Sequence, residues 1–333
     1  MFETLAKLSR EPAQMMKCFI TGLSSFSGQH LAQLLMSEVQ SVDVAGCGTS
    51  NVQWQDCSGK YFACDVSDRN ELTGLLESQR PEYIYHLAAS ADSSDAGQMM
   101  RTNVAGTANL LQICRDIGLR DTKILLVGSA AGFGEMTDDE QSLSETRQPR
   151  PESFYGMSRE AAFELGRIAC KHWGMSVYFC RPFNLIGPGL GEHYVPAALI
   201  RKLMDAGASG RSSISIRNLS VVRDFIDVRD AVTAYHAILT QGTAGVPYSI
   251  GRGIGVTIKE LAEELAAALS IEISIISDED PEHSACRSAI MRSVAATDKL
   301  RMETGWSPGF SLRQSVRDMA ARWVNSPQTE CEN

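Results

Sequence analysis

The chain has 333 residues, 44% of them hydrophobic, and a formal net charge of −9. That is enough apolar material for one large core or two unequal lobes, and the acidic balance argues against a nucleic-acid footprint. No apolar run approaches the ~20 residues of a membrane span. The charged stretch from Met1 to Met16 lacks the apolar centre of a signal peptide. Nine cysteines with no Cys-x-x-Cys pair, and no His cluster at ligand spacing, predict free thiols in a reducing cytoplasm and no metal site.

Residues 1–15, ending at Met15 beside Met16, read as an appendage in which Phe2, Leu5 and Leu8 form at most a frayed helical stripe. Lys17 to Ile20 is a short apolar strand. It runs into Thr21-Gly22-Leu23-Ser24-Ser25-Phe26-Ser27-Gly28, and apolar residues then recur at helical spacing from Leu31. Strand, glycine turn and helix form the context in which a backbone approaches a pyrophosphate at a helix N-terminus. Ser25 stands where the middle glycine of such a turn would be, so a Cβ there is expected to displace the phosphates slightly. A second strand, Val42 to Cys47, leads into Gly46–Asn51, which offers neither the carboxylate nor the arginine that would choose between NAD and NADP.

Lys60 to Val66 reads as a third strand carrying Asp65, which either accepts from an adenine amine or caps the helix after Asp68. Tyr83 to Ala89 is a buried fourth strand whose His86 reads as a satisfied core histidine. Thr102 to Ile117 is a helix with the polar Asn103 near its start. Lys123 to Gly128 is a strand, and Ser129 lies just past its end, where ligands collect in open α/β sheets. Ser153 then opens a helical run to Trp173 with Tyr155 and Arg159 four residues apart on one face. Taken alone they are a surface tyrosine and a solvated arginine; taken together, a phenol beside a fixed cation is a tunable acid.

A strand from Met175 to Cys180 enters Arg181-Pro182-Phe183-Asn184, followed by Gly187-Pro188-Gly189. Helices are expected at 230–240 and 257–269, and a strand at 271–276. The alternation predicts an α/β fold, a doubly wound parallel sheet, with a smaller C-terminal α/β lobe. The boundaries are 16–185 for the dinucleotide-binding part and 186–325 for most of the second lobe, with some elements returning to the first. Residues 326–333 read as a tail.

Taken together, the glycine turn at 21–28, His86-Leu87-Ala88-Ala89, Asn103-Val104-Ala105-Gly106-Thr107, Ser129 and Tyr155-x-x-Ser158-Arg159 have a specific order and spacing. Arg181 to Gly189, Val222 to Val228 and Thr304-Gly305-Trp306 continue it. From about 16 to 325 the chain resembles extended short-chain dehydrogenases/reductases of the NAD-dependent epimerase/dehydratase family, particularly its GDP-4-keto-6-deoxy-mannose reductase and GDP-mannose dehydratase branch. The resemblance implies a Rossmann fold holding NAD or NADP. Its cofactor contacts would be Gly22, Ser24, Ser25, Phe26, Gly28, Asp65, Val66, Leu87, Ala88, Ala89, Asn103, Tyr155, Arg159 and Pro182. It implies Ser129, Tyr155 and Arg159 as the catalytic set, with Tyr155 as acid/base. Ser129, Asn184, Arg223 and Arg287 would contact the nucleotide-sugar substrate. It also implies a homodimer through helices near 103–117 and 155–173, with Leu110, Leu111, Ile113, Phe163 and Ile168 as contact residues.

Two departures from the family pattern matter. Arg159 replaces a lysine: it keeps the charge but cannot pass on a proton. Ala130 and Ala131 follow Ser129 where dehydratases carry an acidic residue and fucose-type epimerase-reductases a cysteine, so elimination lacks its base. Reduction of a nucleotide-linked 4-keto-6-deoxyhexose is therefore the leading expectation. The rivals are a 4-epimerase with bound NAD, a dehydratase using Glu135 or His193 as base, and a nucleotide-sugar-binding protein that has lost turnover.

Overall fold

In the computed structural model the alternating segments form a seven-stranded parallel sheet with helices on both faces. The structure describes residues 15–50, 59–92, 94–278 and 290–325. Residues 1–14 of the expected appendage, Asn51, Arg287 and the 326–333 tail lie outside them. In chain order the elements are β1 (Met16–Thr21), α1 (Phe26–Glu38), β2 (Val42–Gly48), β3 (Lys60–Ala63), α2 (Arg69–Gln79), β4 (Tyr83–His86), α3 (Ala96–Met99), a π-helical turn (Met100–Ala105), α4 (Gly106–Asp116), β5 (Lys123–Val127) and α5 (Phe154–Trp173). They continue as β6 (Val177–Pro182), β7 (Asn184–Ile186), α6 (Val195–Ala208), β8 (Ser213–Ile216), β9 (Val222–Asp227), α7 (Val228–Gln241), β10 (Pro247–Ile250), β11 (Gly255–Thr257), α8 (Ile258–Ala268), β12 (Ser274–Ser277), β13 (Arg292–Ser293), α9 (Asp298–Thr304) and α10 (Leu312–Asn325).

The strand order is β3-β2-β1-β4-β5-β6-β10, and every pairing is parallel. The winding reverses between β1 and β4, so a crevice opens at their C-terminal ends. Successive strand residues alternate faces. Phe19, Ile84, Leu126 and Phe179 pack with residues of α2, α4 and α5, whereas Ile20, Tyr85, Val127 and Cys180 pack with α1 and α7. Both faces are covered, which is why these strands read as unbroken apolar runs.

The chain leaves this sheet after β6 and returns to it only at β10. Between and after, α6, α8 and α10 close a separate core around Leu203, Leu261, Leu265 and Val316. β9 is the centre of that lobe's sheet, flanked by β7, β11 and β13. Phe26 packs against both this core and the one beneath α1, so the two lobes meet beside the switch point.

Three local expectations are corrected. The strand expected to reach Val66 stops at Ala63, because the Asp65 carboxylate takes the Ser67 N–H at 2.8 Å and bends the chain. Asp68, not Asp65, caps α2, accepting from the N–H groups of Asn70 and Glu71. Finally, Leu110, Leu111, Ile113 and Phe163 do not form a docking surface: they lie in the core with Ile84, Ile124 and Leu126. Of the five expected contact residues, Ile168 alone is exposed, at 46%.

Candidate active site

Tyr155 stands in the first turn of α5, which begins because Ser153 turns its Oγ back onto the Gly156 N–H at 3.0 Å. Gly156 lets that turn approach the 129–132 turn: a Cβ there would lie 2.4 Å from the Ala131 carbonyl oxygen. Tyr155 and Ser129 are thereby brought to one place from two elements. Ser129 Oγ accepts the Ala131 N–H at 3.1 Å, which fixes the oxygen and leaves its proton to give. Among the described residues the Tyr155 hydroxyl has no protein partner, and the residue is half-buried. Beneath the Ser129 turn lies a buried pair that the sequence reading missed. Arg181 donates to Glu160 Oε2 at 2.8 Å, with its guanidinium 4.8 Å from the Phe133 ring centre and 4.7 Å from that of Phe163. Its only sequence signal is two charges inside apolar segments.

Arg159 is 3% exposed, and no carboxylate pairs with it among the described residues. Its Nη1 donates to the Ala88 carbonyl at 3.4 Å, while Nε is buried with no partner. A fixed cation with donors to spare fits a ribose hydroxyl. Asn103 is buried because the π-helical turn swings it inward. It takes the Ser90 N–H, and gives its two amide hydrogens to the Ser90 carbonyl and Ser158 Oγ. Ser158 in turn donates to the Tyr155 carbonyl at 2.8 Å. One asparagine thus ties the loop after β4 to the start of α5.

His86 is the satisfied core histidine that its strand context predicts. Thr107 spends its proton on the Asn103 carbonyl (2.7 Å), so it accepts from His86 Nε2 (2.9 Å), and Thr21 donates to His86 Nδ1 (2.7 Å). That chain fixes the neutral Nε2–H tautomer. Burial, and secondly the Arg159 charge, lower the His86 pKa to about 3.

At the β1–α1 turn, a Cβ on Gly28 would sit 2.3 Å from the Gly22 carbonyl oxygen, so α1 docks onto the strand end only without a side chain there. Ser25 is the N-cap: its φ is −70°, so no glycine is demanded, and its Oγ accepts the Gly28 N–H. Among the described residues the Phe26 and Ser27 N–H groups keep no protein partner, which suits a phosphate at the helix N-terminus. Ser24 lies against the end of β2, since a Cβ on Gly48 would meet its Oγ at 2.5 Å. Leu87 and Ala88 are buried behind the crevice and Ala89 is exposed toward solvent. Val66 is core, supporting α4 at Gly106, and Pro182 closes β6 as a buried residue.

Asn184 and Arg223 lie on neighbouring strands: Asn184 Nδ2 donates to the Asp224 carbonyl at 3.3 Å. Arg223 is not bridged to Asp224 or Asp227. Its guanidinium donates to the carbonyls of Val222 (2.9 Å) and Ile290 (2.6 Å), and burial lowers its pKa. Asp224 instead receives the N–H groups of Arg252, Gly253 and Ala295, and Asp227 pairs with Arg229. Glu135 receives two backbone N–H groups, Met291 at 2.5 Å and Arg292 at 3.1 Å. His193 is exposed and lies tilted against Tyr194, with ring centres 4.1 Å apart and planes at 41°. The sequence reading missed Tyr194; partial burial and then the field of Tyr155 raise its pKa, which places it within electrostatic reach of the cleft.

Comparison with known proteins agrees with this geometry. The sequence pattern of the NAD dependent epimerase/dehydratase family matches residues 18–251. The GDP-6-deoxy-D-mannose reductase of Pseudomonas aeruginosa is 30% identical over 327 residues, covering 94% of this chain and 99% of the relative. The GDP-6-deoxy-D-talose 4-dehydrogenase of Aggregatibacter actinomycetemcomitans is 26% identical over 253 residues, 75% of this chain and 79% of that protein. The structure of RMD from Pseudomonas aeruginosa complexed with NADPH superposes with a TM-score of 0.81 at 27% identity, covering 93% of this chain and 99% of that one. The match over most of the chain, on a sheet wound in this order, establishes that the chain belongs to the NAD dependent epimerase/dehydratase family.

Proposed function

We propose that the chain is an NAD(P)-dependent oxidoreductase that reduces the 4-keto group of a nucleotide-linked 6-deoxyhexose. One observation carries the choice of reduction over elimination. No carboxylate follows Ser129 in its turn, and Glu135 is held at the backbone N–H groups of Met291 and Arg292. A C5 proton therefore finds no base within the Ser129 turn. His193 is exposed to solvent against the Tyr194 ring, a poor setting for one.

When bound, the reduced nicotinamide supplies the hydride. Gly22, Ser24 to Gly28 and Ala88 would hold the cofactor, and Arg159, with its unspent donor, its ribose. Tyr155 gives its proton to the carbonyl oxygen as charge develops there, and Ser129 donates a hydrogen bond to the same atom. The Arg159 charge stabilises the tyrosinate left behind. Asn184 and Arg223 hold the nucleotide part of the substrate from the smaller lobe. Arg keeps the charge of the family's lysine, and Ser25 is an ordinary helix cap, so neither departure supports loss of turnover. GDP is the nucleotide we favour, because the relatives named above act on GDP-sugars.

The test mixes protein, NADPH or NADH, and a GDP- or dTDP-4-keto-6-deoxyhexose, and follows cofactor absorbance. Stoichiometric oxidation is expected. Tightly held NAD that co-purifies and shows no net consumption would assign a 4-epimerase instead.

No helix among the described residues is long and apolar enough to cross a membrane. We place the enzyme in the cytoplasm, where free thiols such as those of Cys18, Cys114 and Cys180 persist. We also propose a homodimer whose contact is the outer stripe of α5. Phe154, Met157 and Ile168 are 70%, 52% and 46% exposed and recur at helical spacing, with Ala161 between them.

A further inference from the structure

The ion pair of Glu160 and Arg181 takes no part in the chemistry proposed above, yet it touches both segments that supply it. Arg181 follows Phe179 at the two-residue spacing of β6, so both face the α5 side of the sheet. Its guanidinium lies between the rings of Phe133 and Phe163, and its Nη2 donates to Glu160 Oε2 at 2.8 Å and also rests against Oε1. Glu160 stands on α5 five residues after Tyr155, and Phe133 is the residue that ends the Ser129 turn. Gly132 comes between them: a Cβ there would lie 2.7 Å from Arg181 Nη1 and 3.2 Å from Glu160 Oε1. Arg181 is 2% exposed and Glu160 8%. Burying two charges costs desolvation that their attraction at most offsets in many proteins, and apolar chains of like volume commonly give equal or greater stability. What the pair offers instead is direction. A planar guanidinium held between two rings and paired with one carboxylate has few orientations open to it, whereas aliphatic chains slide.

We propose that Glu160 and Arg181 are positioning residues that set the separation of Ser129 from Tyr155. Arg181 supports the Ser129 turn from below through Gly132 and Phe133, and Glu160 ties the same guanidinium to the helix that begins beside Tyr155. A second contact, Gly156 against the Ala131 carbonyl, joins the turn to the first turn of α5. Two contacts at different points hold the turn in place, whereas the Gly156 contact alone leaves it free to pivot. The reacting carbonyl oxygen must meet both hydroxyls at once, so turnover depends on this spacing. The nucleotide contacts of the smaller lobe, at Asn184 and Arg223, do not.

The kinetic arm of the test rests on the reduction proposed above; the exchange arm does not. The double variant Glu160→Leu with Arg181→Met removes both charges and keeps the space filled. It is expected to melt at or above the parental temperature. Its kcat should fall about 10- to 100-fold with KM for the keto-sugar unchanged. Hydrogen exchange of the Ala131 N–H, which is bonded to Ser129 Oγ and so reports the turn in the cofactor-free chain, should become faster. In a Ser129→Ala background the same double change is expected to leave kcat where Ser129→Ala alone puts it. Glu160→Asp keeps both charges and shortens the tie by one methylene. It should show the same changes in kcat and exchange to a smaller degree, and it decides the matter if the apolar variant does not fold. Parental kcat, parental Ala131 exchange, or an equal kcat loss with and without Ser129 would each overturn the proposal. If the parent chain reduces no keto-sugar, the Ala131 exchange decides it alone.

Discussion

Tyr155 carries the proposed chemistry with three features: a hydroxyl with no protein partner among the described residues, a cation one helical turn away and a serine oxygen pinned by its own turn. Replacing it by phenylalanine removes the acid and little else, because the ring is half-buried. Reduction should fall about 10²- to 10⁴-fold while the melting temperature and NADPH binding stay at parent values. Calorimetry beside the absorbance assay checks both. His86, which feels the same cation's charge, gives a second prediction at this scale. Its folded pKa of about 3 lies below the ordinary value of 6.5, so the unfolded chain binds more protons between them. Its contribution is complete above pH 6.5 and is lost as pH falls toward 3, amounting to about 2 kcal/mol by pH 5. Denaturant unfolding at pH 7.5 and pH 5 should show that loss in the parent chain and a correspondingly shallower one in His86→Asn.

At the scale of elements, the site depends on three close approaches made possible by short side chains and helix caps. Ser153 starts α5, Ser25 starts α1, and Asn103 stitches the loop after β4 to α5. The β1–α1 turn is the tightest of them. Gly28→Ala forces its Cβ onto the Gly22 carbonyl, so α1 must lift from the strand and carry its free Phe26 and Ser27 N–H groups with it. The expected cost is about 1–3 kcal/mol of stability, as for an overpacked core, together with weakened NADPH binding. Thermal unfolding and a fluorescence titration measure the two, and a variant with parental values in both would contradict this account of the turn. The notion that Ser25 perturbs the phosphates has less force, because its Oγ occupies only the Gly28 N–H.

For the whole molecule, the sheet supplies the crevice and the smaller lobe closes it. The lobe's strand β9 presents Arg223 and borders Asn184, and Phe26 joins the two cores. The apolar stripe of α5 is left uncovered. Met157→Glu places a charge in its middle without touching the buried face, where Ala162, Phe163 and Gly166 pack. Sedimentation should show a dimer for the parent chain and a monomer for the variant, with an unchanged circular dichroism spectrum. A parent that sediments as a monomer at micromolar concentration would remove the dimer proposal.

Much of this was legible in the linear order of residues because it rests on local rules. Apolar runs of strand length, glycine turns and helical spacing determined the alternating fold, and the tyrosine four residues before an arginine marked the start of the helix that matters. Burial and long-range approach were decided only in three dimensions. Leu110 and Phe163 have the same apolar character as Ile168, and only the packed sheet separates core from surface. Only the fold shows that the Glu135 carboxylate is anchored on two amides 156 and 157 residues away. Asn103 meets Ser158, 55 residues further along the chain, a proximity that no periodicity encodes, because it comes from the packing of the π-helical turn against α5.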